Sequence, residues 1–91
     1  MYVVVSYDIV DDRKRLQVSK VLKNYGQRVQ KSVFECRVDE KNYLEIKGKL
    51  EKIIDMEADS VRYYSLCQRC IGAIEISGWG AVMEDEEVII V

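Results

Sequence analysis

The residues best suited to chemistry crowd into one stretch, SYDIVDDRKR, from Ser6 to Arg15. Asp8, Asp11 and Asp12 supply carboxylates, and Arg13, Lys14 and Arg15 follow with no spacer. Carboxylates can move protons or ligate a hard cation, and basic side chains can hold phosphates. The chain has no histidine, which excludes Ser-His-Asp triads, Cys-His pairs and imidazole acid–base catalysis. An enzyme built from it must move protons with carboxylates, tyrosines or metal-bound water.

Asp8 closes an apolar, β-branched run, YVVVSYDIV over residues 2–10, which reads as a strand. Alternation puts Val3, Val5, Tyr7 and Ile9 on one face and Tyr2, Val4, Ser6 and Asp8 on the other. If two copies pack through the second face, two Asp8 carboxylates meet in one cleft and repel unless a cation neutralises them. Two carboxylates without imidazole suit a water-rich Mg²⁺ or Mn²⁺ better than zinc. Such an ion acidifies bound water and stabilises charge on a transferring phosphoryl group. The alternative for Asp8 is a strand-end carboxylate that accepts hydrogen bonds from turn amides. Asp11 and Asp12 read as helix caps.

Arg13, Lys14 and Arg15 oppose the dipole of the helix they open, while the same end attracts phosphates through its free amides. A phosphodiester cradle follows from that combination. Lys20 and Lys23 extend the positive face, or are simply solvated, and Arg28 and Lys31 come next.

The elements that must position these groups are legible. Val18, Val21, Leu22 and Tyr25 form one helical stripe, capped by Asp11 or Asp12 and stopped by Gly26. Leu16 sits off the stripe. Residues 27–38 read as two short strands breaking near Lys31–Ser32, or as one bulged strand. A second helix starts after Asp39, with Tyr43, Ile46, Leu50, Ile53 and Ile54 inward. Strands are expected at 60–67, 71–78 and 87–91. The order β-α-β-β-α-β specifies an α+β, ferredoxin-like fold: an antiparallel sheet, both helices on one face, C-terminal strands appended. Its second face is half apolar, so a homodimer through that open face is expected. Residues 1–91 form a single domain, with 79–91 a tail or extra strand for dimer or partner contacts.

The net charge of −2 hides a division. Residues 1–31 carry seven basic and three acidic side chains, whereas 32–91 carry seven and thirteen. Charge sorted in this way builds a basic surface on an acidic chain. Three cysteines, an odd number, argue against a disulfide framework. Cys67 and Cys70 form one CxxC, half of a zinc site at best, and read as small core or strand residues. No apolar run nears the roughly 20 residues a membrane helix needs, and no signal peptide is readable, so the cytoplasm is the expected location.

YDIVDDRKR followed by VLKNYGQRVQKSVFECRV resembles the CRISPR-associated protein 2 family, and DSVRYYSLC is also similar. The resemblance implies a ferredoxin-like homodimer whose two Asp8 residues share one divalent metal. It implies a metal-dependent endonuclease on RNA or duplex DNA, and a partner, the CRISPR integrase (CRISPR-associated protein 1), in spacer acquisition. It assigns Tyr7 and Asp8 as the catalytic pair and Arg13 and Arg15 as phosphate contacts on the helix. Arg28, Ser32 and Phe34 match the hairpin elements of the family pattern, and Lys31 lies among them. Gln17 stands where some members have a further arginine, which weakens any nuclease role needing it. A non-catalytic dimeric scaffold for DNA and integrase is the alternative, and a small metabolite-binding regulator a third reading.

Overall fold

A computed structural model describes residues 1–80 and 82. The elements are β1 (Tyr2–Asp8), α1 (Asp12–Lys23), β2 (Gly26–Gln30), β3 (Val33–Arg37), α2 (Glu40–Ile53), β4 (Ser60–Leu66) and α3 (Gln68–Gly72). The four strands make one antiparallel sheet in the order β2-β3-β1-β4, the ferredoxin-like arrangement. No helix among the described residues is long and apolar enough to cross a membrane.

Val3, Val5, Tyr7 and Ile9 are all buried beneath the helices, as the alternation requires. Phe34 and Cys36 of β3 join them, and Val18 and Leu22 of α1 with Ile46 and Leu50 of α2 close the core from above. Val21, Tyr25, Tyr43, Ile53 and Ile54 flank it, so both helical stripes face inward as expected. Leu16, off the stripe, is half exposed.

Local bonding sets the boundaries. β1 stops at Asp8 because the Val10 amide donates to the Asp59 side chain instead of continuing the ladder. Asp11, rather than Asp12, caps α1 by accepting from the Lys14 amide at 3.0 Å. Asp39 caps α2 likewise, from the Asn42 amide at 2.8 Å.

Gly26 is not the stop of α1. Asn24 is the C-cap, and Gly26 opens β2, where a Cβ would collide with the Glu35 carbonyl and approach Cys36 Cα to 2.8 Å. Residues 27–38 divide into the expected hairpin at Lys31–Ser32, and β2 also carries a bulge between Arg28 and Gln30. A single strand cannot turn there and still pair with itself.

The strand expected at 71–78 is absent. The amides of Ile71, Ala73 and Ile74 bond back to Cys67, Cys70 and Ile71 carbonyls, which winds the chain into α3 and leaves nothing for a ladder. Gly78 and Gly80, with φ of 91° and 131°, then bend the chain in ways other residues resist. Cys67 and Cys70 are therefore neither core nor strand residues: both are exposed at the start of α3. The strand expected at 87–91, and most of the 79–91 tail, lie outside the described residues.

Leu22→Ala should cost about 2–5 kcal/mol in urea melts by opening a cavity under the sheet. Leu44→Ala, at a position 59% exposed, should stay within about 0.5 kcal/mol of the wild type.

Candidate nucleic-acid interface

The sheet sorts the candidate residues onto two sides. Registers Tyr2↔Leu66, Val4↔Tyr64, Ser6↔Arg62 and Asp8↔Ser60 define the helix-free face, together with Tyr2↔Arg37, Val4↔Glu35 and Ser6↔Val33. Asp8 stands exposed at the end of that face. The amides that a structural carboxylate would engage are already taken, Val10 by Asp59 and Lys14 by Asp11. Among the described residues the Asp8 carboxylate has no hydrogen-bond or ion-pair partner.

Tyr7 lies on the opposite side. Its ring is buried and stacks on Phe34 at a centroid separation of 6.3 Å. Its amide donates to the Ser32 carbonyl at 3.0 Å, and its hydroxyl reaches the Lys31 carbonyl at 3.5 Å. Tyr7 thus fastens the β2–β3 turn to β1 and does not share a site with Asp8. Sequence adjacency paired these two residues; the pleat separates their side chains.

A groove of about 240 Å³ opens on Tyr7's side, lined by Asp12, Arg15, Leu16, Ser19, Arg28 and Lys31 as well as Tyr7. Three cations thus converge from one helix and one hairpin. Arg15 pairs with Asp12 one turn back, and its guanidinium also touches the Val10 carbonyl at 3.5 Å. Arg28 lies over the Phe34 ring at 5.3 Å. Phe34 is fully buried, so it supports Arg28 from beneath and cannot itself touch nucleic acid. Ser32 is half-buried in the turn, where its carbonyl takes the Tyr7 amide. Arg13 is exposed on α1 outside the groove. The structure brings Arg15, Arg28 and Lys31 together and leaves Asp8 apart from them.

Two residues escaped the sequence reading. Arg62 shares Asp8's face, one diagonal step across the β1–β4 ladder, and the neighbouring Tyr64 hydroxyl pushes its pKa up. Counting β4 in register against β1 would have found it. Asp59 is the other. One of its oxygens accepts from Val10 and the other from the Asp55 amide, at 3.0 and 2.9 Å. These bonds, with Lys14 nearby, hold its carboxyl below the ordinary range. Asp59 thereby ties the β1–α1 loop, directly after Asp8, to the α2–β4 loop. A single aspartate between two loops leaves no periodic signal.

Comparison with known proteins decides the family. Residues 1–74 match the model described as CRISPR associated protein Cas2. The chain belongs to the Cas2 family. A relative from Chloroflexus aurantiacus, named CRISPR-associated endoribonuclease Cas2 1, is 43% identical over 90 residues, 98% of this chain and 97% of that one. The crystal structure of Streptococcus pyogenes Cas2 superposes with a TM-score of 0.76 at 38% identity, covering 86% of this chain and 100% of that one. The chain is also similar to one in a partial Cas6-RT–Cas1–Cas2 complex, with a TM-score of 0.72 and 28% identity over 82% of this chain and 88% of that one. These Cas2 structures share the α+β fold described above, which confirms the ferredoxin-like expectation.

Asp59's lowered pKa makes its contribution to stability pH-dependent. A carboxylate held below its unfolded value stabilises the fold above that value and loses the effect as pH falls through the folded pKa. Asp59→Asn should therefore be less stable than the wild type at pH 7, by urea melts. The gap should shrink as pH drops below about 3.9.

Proposed function

We propose that this Cas2 chain acts as a homodimer cleaving nucleic-acid phosphodiesters at a divalent-metal site built from Asp8 of each copy. The same dimer would hold DNA for the integrase that extends CRISPR arrays. The observation that carries the reading is Asp8 itself, exposed at the end of β1 on the helix-free face while neighbouring amides are bonded elsewhere.

One carboxylate does not hold a cation, and among the described residues no three His, Cys, Asp or Glu side chains cluster to do so. A second copy packed through the same face supplies the second acid. Two carboxylates completed by waters and phosphate oxygens are the donor set that Mg²⁺ or Mn²⁺ accepts. Bound there, the ion would neutralise the paired acids, stabilise charge at phosphorus and acidify water. The chain's own groups do the positioning. Arg62, on Asp8's face, can offer its guanidinium fork to a backbone phosphate. Tyr7 holds the hairpin turn that carries Arg28 and Lys31, and Asp59 holds the loop that follows Asp8. With no histidine in the chain, proton transfer falls to carboxylates and water.

The name of the Chloroflexus relative, an endoribonuclease, supports RNA as substrate. The partial Cas6-RT–Cas1–Cas2 complex supports Cas1, the integrase, as partner. The scaffold role is favoured by a separate observation. Arg15, Arg28 and Lys31 line a groove away from the Asp8 face, where they can bind a duplex backbone without presenting it to Asp8. Arg13, exposed on the same helix, extends that surface.

One paired experiment tests both parts. Asp8→Asn should stay folded and lose Mg²⁺-dependent cleavage of single-stranded RNA by at least about 100-fold, while its affinity for duplex DNA is kept. Arg28→Glu should lower the slope of log affinity against log salt by about one. Equal cleavage by wild type and Asp8→Asn would remove Asp8 from the chemistry. A wild type silent with both Mg²⁺ and Mn²⁺ would leave the scaffold alone, and an unchanged salt slope would remove Arg28 from the backbone contact.

A further inference from the structure

Cys67 and Cys70 have no part in phosphodiester chemistry, yet the fold does not treat them as filler. β4 ends at Leu66, Cys67 caps α3, and Cys70 lies one turn on, with both side chains exposed. Their sulfurs are 3.5 Å apart. A disulfide needs about 2.05 Å, so the sulfurs must close by about 1.5 Å. The Cys70 backbone amide lies near the Cys67 sulfur without a capping hydrogen bond to it, and the two thiols share a sulfur–sulfur hydrogen bond. Together they hold the Cys67 thiol below its ordinary value. Cys70, bonded to Cys67 and facing its charge, is pushed up. The third cysteine is the opposite case: Cys36 is fully buried, and burial followed by Glu35 pushes its thiol up to about 11. One accessible sulfur is thus prepared to attack, with a second in reach to resolve.

We propose that Cys67 and Cys70 form a thiol–disulfide exchange site whose substrate is a small-molecule disulfide, so that the chain carries a reversible Cys67–Cys70 bond. In the forward direction the Cys67 thiolate attacks one sulfur of the disulfide RSSR. A mixed disulfide Cys67–SR forms and RS⁻ leaves with the electron pair of the broken bond, then takes up a proton. Cys70, deprotonated to water, attacks Cys67 Sγ and expels the second RS⁻. The balance is two protein thiols plus RSSR giving one protein disulfide plus two RSH. The protein is oxidised by two electrons, RSSR is reduced by two, and excess RSH reverses the reaction. Within one chain the pair is poorly suited to a resident metal, because two thiolates leave a tetrahedral ion half-ligated and no third His, Cys, Asp or Glu joins them among the described residues. The bond would staple the point where the chain leaves β4 for α3.

The test uses the full chain, reduced and then equilibrated in glutathione buffers of graded reduced-to-oxidised ratio. After acid quenching, free thiols are alkylated in denaturant and counted by mass. The expected result is a loss of two labels in one transition, mapped by proteolysis to Cys67 and Cys70, with Cys36 labelled throughout. In pure oxidised glutathione at pH 7, Cys70→Ser should accumulate the Cys67–glutathione adduct at least about 3-fold faster than Cys67→Ser forms its own. Three labels at every ratio, or stable glutathione on both sulfurs without an internal bond, would overturn the proposal. Equal rates for the two variants would overturn Cys67 as the attacking sulfur.

Discussion

The pleat of β1 is the constraint from which the rest follows. Successive side chains of a strand must leave on opposite sides, and β1 is flanked on both edges, by β3 and β4. Val3, Val5 and Tyr7 anchor the core on one side, which fixes Ser6 and Asp8 on the other. A slip of one residue would bury Asp8 beneath the helices and expose the apolar set, a change that burial energetics forbid. The position of the carboxylate is therefore a by-product of how the core is packed.

The same constraint separates two tasks that look merged in the sequence. DDRKR follows Asp8 so closely that one site seems to contain both, but the helix it opens lies across the core face. Asp12 and Arg15 turn toward the hairpin, where Arg28 rests on Phe34 and Lys31 lines the same groove. Asp59 fixes the hinge between the two regions by gripping the Val10 amide. The acid stands on one face and the basic groove on the other, so the proposed cleavage and duplex binding fall to separate surfaces. On that proposal the acid face requires a second copy to hold a metal, whereas the three cations of the groove all come from one chain.

Much of this architecture was readable because it is periodic. The alternation of β1 and the stripes Val18–Leu22 and Ile46–Leu50 carry the fold, and the aspartate caps mark where helices begin. Reading failed where bonding is local and aperiodic. Ile74 and Ile76 alternate like a strand, yet the Ala73 and Ile74 amides bond back to the Cys70 and Ile71 carbonyls at the end of α3. Gly26 looked like a helix stop and is instead the place where β2 presses against the Glu35 carbonyl. The site showed the same divide. Asp8 and Arg28 stood out by type and spacing, whereas Arg62 needed the β4 register, and Asp59 needed three-dimensional knowledge of two loops. Tyr7 and Phe34 were matched by motif, but both are buried and act by holding the hairpin.

The proposed chemistry requires two copies to meet across the helix-free face. The most direct measurement is oxidative cross-linking of Asp8→Cys, made in a Cys67→Ser, Cys70→Ser background that keeps only the buried Cys36. Covalent dimer should form readily at position 8, and Lys31→Cys, on the groove side, should yield little. A chain that cross-links through position 31 but not 8, or that sediments as a monomer, would contradict the account.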